Sequence, residues 1–230
     1  VVIFSNPMLQ EGEEFYRTGD YENALYTYVS LNQNYPNHPE LLYNIGNSYY
    51  KLGKLGDALA YYYKAQRLLP RDKDIHANIE LVSSMVLDDV AGGGSVASNG
   101  WFYFLMMFSF NEWLVGLLCM MSFFTLLLLL KEKWPENESL KNGVGFVFVV
   151  LILYLGLFGL RYNQQFSFDR GVVTLSTVQV KVGPSDSLDT KFIIHEGVDF
   201  EIIKRLDAWT EIELSNGFSG WISATDYRAI

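Results

Sequence analysis

Two uncharged apolar runs of 18 residues each, 113–130 and 143–160, restrict this chain more than any other feature. At ~1.5 Å per residue, each makes about 27 Å of helix, long enough to cross a ~30 Å hydrocarbon core. Lipid offers the backbone no hydrogen-bond partners, so each run is expected as a transmembrane helix. Residues 131–142 (KEKWPENESLKN) carry Pro135 and six charges, which predicts a polar loop with Trp134 at headgroup level and the second run returning across the bilayer. The aromatic, Met-rich stretch 101–112 is expected to lie along the interface as a lead-in. Two buried core helices of a large soluble protein are the alternative, but nothing else in the chain is extensive enough to cover residues 101–160.

Glu112, the one charge between 101 and 130, follows Ser109-Phe110-Asn111, where a helix N-cap is expected. A carboxylate there favours the positive end of the helix dipole. With no partner charge in either run, it is read as a cap and not as an ion site. Lys131, Lys133 and Lys141 lie in the loop, whereas Arg161 and Arg170 follow the second run. That bias places the loop inside and both flanking regions outside.

The flanks read as ordinary soluble sequence. Residues 1–100 hold seven Lys/Arg against twelve Asp/Glu, and residues 161–230 seven against ten, of a net −9 for 230 residues. Neither flank offers the basic face that phosphate binding needs, so no nucleic acid partner is expected. Cys119 is the single cysteine, which excludes an intramolecular disulfide and a Cys zinc site. The opening Val1-Val2-Ile3-Phe4 leaves two readings open, the tail of a removed signal peptide or a short apolar lead-in.

Residues 5–80 repeat with a period of 34, marked by Pro36 and Pro70. The second copy places Leu42, Ile45, Gly46 and Tyr49 on a first helix and Ala58, Tyr62 and Ala65 on a second; the first copy gives Gly12, Phe15, Gly19, Tyr21, Ala24 and Tyr28. This pattern resembles the tetratricopeptide repeat (TPR), in which small residues let paired helices approach and proline ends the second helix. Asp72-Lys73-Asp74 caps a closing helix over 75–86. The resemblance implies a partner-binding concave face carrying Arg17, Tyr43, Asn44, Asn47, Tyr50, Lys51 and Asn78; the same residues also read as solvated surface and interhelix packing. Tyr62 is core by repeat position, and Tyr61 and Tyr63 are expected to face a neighbouring protein or the bilayer surface. Residues 87–100 (LDDVAGGGSVASNG) read as a flexible tether.

After a linker at 161–171, residues 172–230 carry short β-branched runs punctuated by Gly-Pro, Glu-Gly and Asn-Gly turns. About five strands are predicted, at 178–182, 190–194, 198–204, 209–214 and 220–222. VQVKVGPSDS, WTEIEL and NGFSGWI resemble the bacterial SH3 pattern, with Lys181-Val182 where an Arg-Ser pair is usual. That implies a small all-β barrel with a candidate groove of Trp209, Phe218, Trp221 and Tyr227 for a peptide. Trp221 and part of Trp209 are expected to fill the core of so small a barrel rather than to line that groove.

His38, His76 and His195 fall in different structural units, and no P-loop or dinucleotide fingerprint is present, so neither an enzyme nor a cofactor or metal site is expected. The whole is a multidomain membrane protein: an all-α TPR repeat domain (1–86), a two-helix transmembrane hairpin and a small all-β SH3-like barrel. This architecture resembles the bacterial aerotolerance (Bat) family. The resemblance implies a two-pass protein of the bacterial inner (cytoplasmic) membrane with both soluble domains periplasmic. Its implied partners are von Willebrand A-domain (VWA) membrane proteins, a TPR partner, the BatD protein and a MoxR-type ATPase. The rival expectation is a cell-wall sensor that binds peptidoglycan peptides through the SH3-like domain.

Overall fold

The computed structural model describes residues 6–88, 105, 107–167 and 169–230, with backbone alone for 164–167. The apolar start at 1–4, the tether from 89 onward and residues 101–104 and 106 of the expected interfacial stretch lie outside the described residues. The chain divides into two compact units, one built from both flanks (Val1–Ala97 with Asp169–Ile230) and one from the middle (Ser98–Phe168).

In the first unit, five helices form the repeat region: α1 (Pro7–Thr18), α2 (Tyr21–Asn34), α3 (Pro39–Lys51), α4 (Leu55–Leu68) and α5 (Lys73–Ser83). Their ends follow local chemistry. Asn6, Asp20 and Asp72 accept backbone N–H bonds at the starts of α1, α2 and α5, and proline opens α1 and α3. Gly19 closes α1 in the left-handed region at φ 86°. The 34-residue period shows as a repeated contact. A Cβ on Gly12 would fall 2.6 Å from the Tyr28 ring, and one on Gly46 2.6 Å from the Tyr62 ring, so each glycine admits the tyrosine that follows 16 positions later.

The C-terminal region of this unit is an antiparallel sheet of seven strands in the order β3-β2-β6-β5-β4-β1-β7. The strands are β1 (Arg170–Val173), β2 (Thr177–Lys181), β3 (Thr190–His195), β4 (Asp199–Leu206), β5 (Trp209–Glu213), β6 (Ser219–Ser223) and β7 (Tyr227–Ala229). Alternation places Val178, Val180, Ile194, Phe200, Ile202, Ile212 and Ile222 in its core. The sequence predicts about five strands. The two it omits are β1, which begins inside the stretch assigned to the linker, and β7, a three-residue strand beside it.

The second unit holds two long helices, α6 (Phe110–Lys133) and α7 (Glu138–Ser167). Both overrun the apolar runs, shortening the turn between them to Trp134–Asn137. Each is long and apolar enough to cross a membrane, and only 11% of each apolar window is buried. Ser109 and Glu112 form a reciprocal capping box at the start of α6. The helices pack on each other where the Tyr154 hydroxyl donates to the Trp113 carbonyl at 2.8 Å beneath Gly116, and the Trp113 indole N–H reaches the Leu105 carbonyl at 3.2 Å.

Candidate functional site

The candidate partner-binding residues lie on α1 (Arg17), α3 (Tyr43, Asn44, Asn47, Tyr50 and Lys51) and α5 (Asn78). Asn78 Nδ2 on α5 donates to the Tyr43 hydroxyl on α3 at 2.7 Å, and the Tyr62 hydroxyl donates to Asn47 Oδ1 at 2.8 Å. The Tyr43 and Tyr62 rings lie 5.8 Å apart. Four side chains thus tie α3, α4 and α5 together. Burial, aided by Tyr21, Tyr43 and Tyr50, pushes the Tyr16 hydroxyl above its ordinary range, and the Tyr16 ring lies 5.2 Å from that of Tyr21.

A match to known proteins belongs to this region. Residues 39–72 match the tetratricopeptide repeat. No curated protein matches the chain. The matched stretch is α3, α4 and the turn into α5, the second of the two 34-residue copies. A TPR repeat indicates a scaffold for protein–protein interaction, and hence protein partners.

The seven residues assigned to the TPR partner face differ in what they have free. Tyr43, Asn47 and Asn78 are half-buried and committed to the internal bonds above. Asn44 is half-buried, its carbonyl accepting from the Ser48 hydroxyl at 2.9 Å. Lys51 is exposed with its ammonium 5.8 Å from the Tyr50 ring, and Arg17 is exposed in an ion pair with Glu14 at 2.6 Å. Among the described residues no group of three or more His, Cys, Asp or Glu side chains is placed to hold a metal.

On the sheet, the strand registers decide which aromatics meet. Trp209 pairs with Ser223 and Trp221 with Glu211, so the two indoles are diagonal neighbours on the face away from Ile212 and Ile222, and both are half-buried. Neither belongs to the core, which is aliphatic apart from Phe200. Phe218 is exposed and pairs with Phe192 at 5.9 Å. Tyr227 lies elsewhere, its ring 5.3 Å from Phe200 and its hydroxyl 3.1 Å from Thr210. The candidate groove therefore reduces to Trp209 and Trp221.

One set of contacts was not expected from the sequence: helix α4 and the end of α5 pack directly on the sheet. Asp57 Oδ1 on α4 accepts a bond from Arg228 Nε at 2.6 Å and forms an ion pair with Nη2 of the same guanidinium at 2.6 Å, and that guanidinium lies 5.7 Å from the Tyr49 ring and 5.2 Å from the Tyr61 ring. The rings are themselves stacked at 5.5 Å. Burial opposes the Arg228 charge, but Asp57 beside it leaves its pKa above the ordinary value. The Gly56 N–H donates to Glu196 at 2.9 Å, Arg67 to the Ile230 carbonyl at 2.9 Å, and the His195 N–H to Asp88 at 2.8 Å. Ala58, Leu59, Tyr62, Val82 and Val172 share one apolar cluster, with Tyr63, Val86 and Ile230 packed against it. Tyr61 and Tyr63, expected to face a neighbour or the bilayer, are turned to the chain's own sheet.

Proposed function

We propose that this chain is a non-enzymatic, membrane-anchored scaffold of a bacterial envelope complex, similar to BatE-like members of the Bat aerotolerance family. In this reading α6 and α7 are a two-pass anchor in the inner membrane. The sheet is an SH3-like domain, and both soluble parts are periplasmic. The TPR helices and the membrane helices recruit the partners: VWA-domain proteins, BatD, a second TPR protein and, through them, a MoxR-type ATPase.

One observation carries the reading. Asp57 and Arg228, on opposite sides of the two long helices in sequence, share an ion pair, so the stretches flanking those helices occupy one compartment. A hairpin anchor meets that requirement, because two crossings return the chain to the side it left. The low burial of both apolar windows supports lipid or protein neighbours around them. The test is purification of the detergent-solubilised protein from its native membrane. The scaffold reading expects stoichiometric VWA-domain and BatD-type subunits; a protein recovered alone, or in the supernatant without detergent, counts against it.

A second reading rests on the half-buried Trp209 and Trp221 lying side by side on the sheet. In it the SH3-like domain binds peptidoglycan stem peptides, which stack on the indoles. It requires saturable binding of stem peptide to the full chain, lost on Trp209→Ala without a change in melting temperature.

A further inference from the structure

We propose that the C-terminal sheet is an intramolecular docking module whose ligand is the TPR array itself, namely helix α4 and the end of α5. The helix pair α6–α7 is then an insertion within a single folding unit. The inference shares the Asp57–Arg228 contact with the scaffold reading but needs neither a membrane nor partner proteins, since it concerns only what the two flanks do to each other.

The closeness of the approach is the first argument. A Cβ on Gly56 would overlap the Val173 carbonyl oxygen and meet Thr174 Cα and Glu196 Cγ at 3.0 Å, so strand backbone abuts helix backbone at a site that admits no side chain. Gly197 is held as closely against Val86, in the left-handed region at φ 89°. The second argument is chemical completeness. Glu196 satisfies one of the N–H groups that the first turn of α4 cannot bond internally, and a carboxylate is favoured at that end. Arg67 satisfies the Ile230 carbonyl beyond β7, and α4 packs along β1 and β7, covering an outer strand that would otherwise offer its edge to other chains. The array also gains an end: among the described residues α5 has no second helix of its own, and Val82 and Val86 are covered in the cluster that contains Val172 and Ile230.

Both ends of the inserted segment are pinned on the sheet. Asp88, before it, accepts from the backbone and imidazole of His195 at 2.8 and 2.9 Å; Asp169, after it, accepts from the Ile202 N–H at 2.7 Å and pairs with Arg205.

Amide hydrogen exchange on the full chain in detergent tests this, comparing wild type with Gly56→Leu, Asp57→Arg, Arg228→Asp and the double variant Asp57→Arg/Arg228→Asp. Each single variant is expected to raise exchange about tenfold or more, and together, in the first turns of α4, in β1 and in β7, while α1–α2 and β5–β6 keep their protection. The double variant restores part of that protection. Should a single variant also lose protection in α1–α2, Arg228→Lys decides, with a smaller rise expected in the same three elements. Unchanged exchange in β1 and β7 across Gly56→Leu, Arg228→Asp and Arg228→Lys overturns the proposal. So does protection in wild type that falls on tenfold dilution, which assigns the docked sheet to a second copy.

Discussion

The Asp57 carboxylate and the Arg228 guanidinium, 171 positions apart, meet at 2.6 Å beside a stacked pair of tyrosines, Tyr49 and Tyr61. The Asp57 side chain is 12% exposed and that of Arg228 36%, so removing either partner leaves the other poorly solvated. Asp57→Ala and Arg228→Ala are each expected to cost about 2 kcal/mol, with a coupling of about 1–2 kcal/mol in a double-mutant cycle. Denaturant unfolding of the four proteins measures it, and additive losses would mean the two groups do not interact.

The repeat itself predicts a paired result. Gly46→Ala drives a methyl to 2.6 Å from the Tyr62 ring, and Gly12→Ala does the same at Tyr28. Both rings are almost fully buried, with no room to yield, so each substitution is expected to destabilise by about 1–3 kcal/mol. Gly19→Ala has nothing within 4 Å and incurs only the backbone strain of a left-handed residue, about 1 kcal/mol. Melting temperatures should therefore rank Gly19→Ala above the other two.

Why some of this was legible from sequence and some was not has a physical basis. The repeat could be read because its packing is local and periodic: Gly12 with Tyr28 and Gly46 with Tyr62 recur at one spacing. Strands β2 to β6 could be read because most of them alternate or end in strong turns. Strands β1 and β7 could not. They have four and three residues, β1 buries three in succession, and neither shows a period of two. Those two strands carry the docking, so the contact between the flanks escaped as well; nothing local marks Arg228 as the partner of Asp57. Repeat position assigns the polar candidates to first helices, but position alone does not reveal that Tyr43 and Asn78 bond each other. The sequence favours the core for Trp221 and part of Trp209, and the structure puts both outside it, because the alternation that separates them from Thr210 and Ile222 depends on a register fixed by pairing.

The Ser109–Glu112 capping box separates a structural from an ionic role for the one carboxylate in the apolar lead-in. Glutamine serves in the same box, so Glu112→Gln is expected to change stability by under about 0.5 kcal/mol, whereas Ser109→Ala loses the bond to the Glu112 N–H and costs about 1 kcal/mol. Thermal unfolding in detergent ranks the two. A larger loss for Glu112→Gln would mean that the charge itself is needed.

Within the helix pair, the Tyr154 hydroxyl bonded to the Trp113 carbonyl is a specific link between α6 and α7. Interhelical hydrogen bonds in apolar surroundings contribute about 0.6–2 kcal/mol. Tyr154→Phe is expected to lower stability within that range. Gly116→Leu places a side chain where the Tyr154 hydroxyl sits and should separate the helices outright. Cross-linking of cysteines placed on α6 and α7, after Cys119→Ser, reads the difference, with efficiency falling modestly for the first variant and collapsing for the second.

Tyr63 connects the docked sheet to a pH dependence. Burial pushes its hydroxyl up to about 12, the Asp199 carboxylate on β4 adds to the shift, and Arg170 and Ser83 oppose it. A phenol whose folded pKa lies above its unfolded value of about 10 binds more protons in the folded than in the unfolded state between those values. Its contribution is constant below pH 10 and is lost as pH rises from about 10 to about 12. Tyr63→Phe, which cannot ionise, should be less steeply destabilised across that interval than wild type, with little difference between the two slopes below pH 9. Absorbance at the tyrosinate band adds a second readout: the variant should lose one of the late-titrating tyrosines. In Arg228→Asp, where the sheet is loosened from α4, Tyr63 should ionise closer to pH 10. A late titration unchanged by that substitution would show that the burial of Tyr63 does not depend on the Asp57–Arg228 contact.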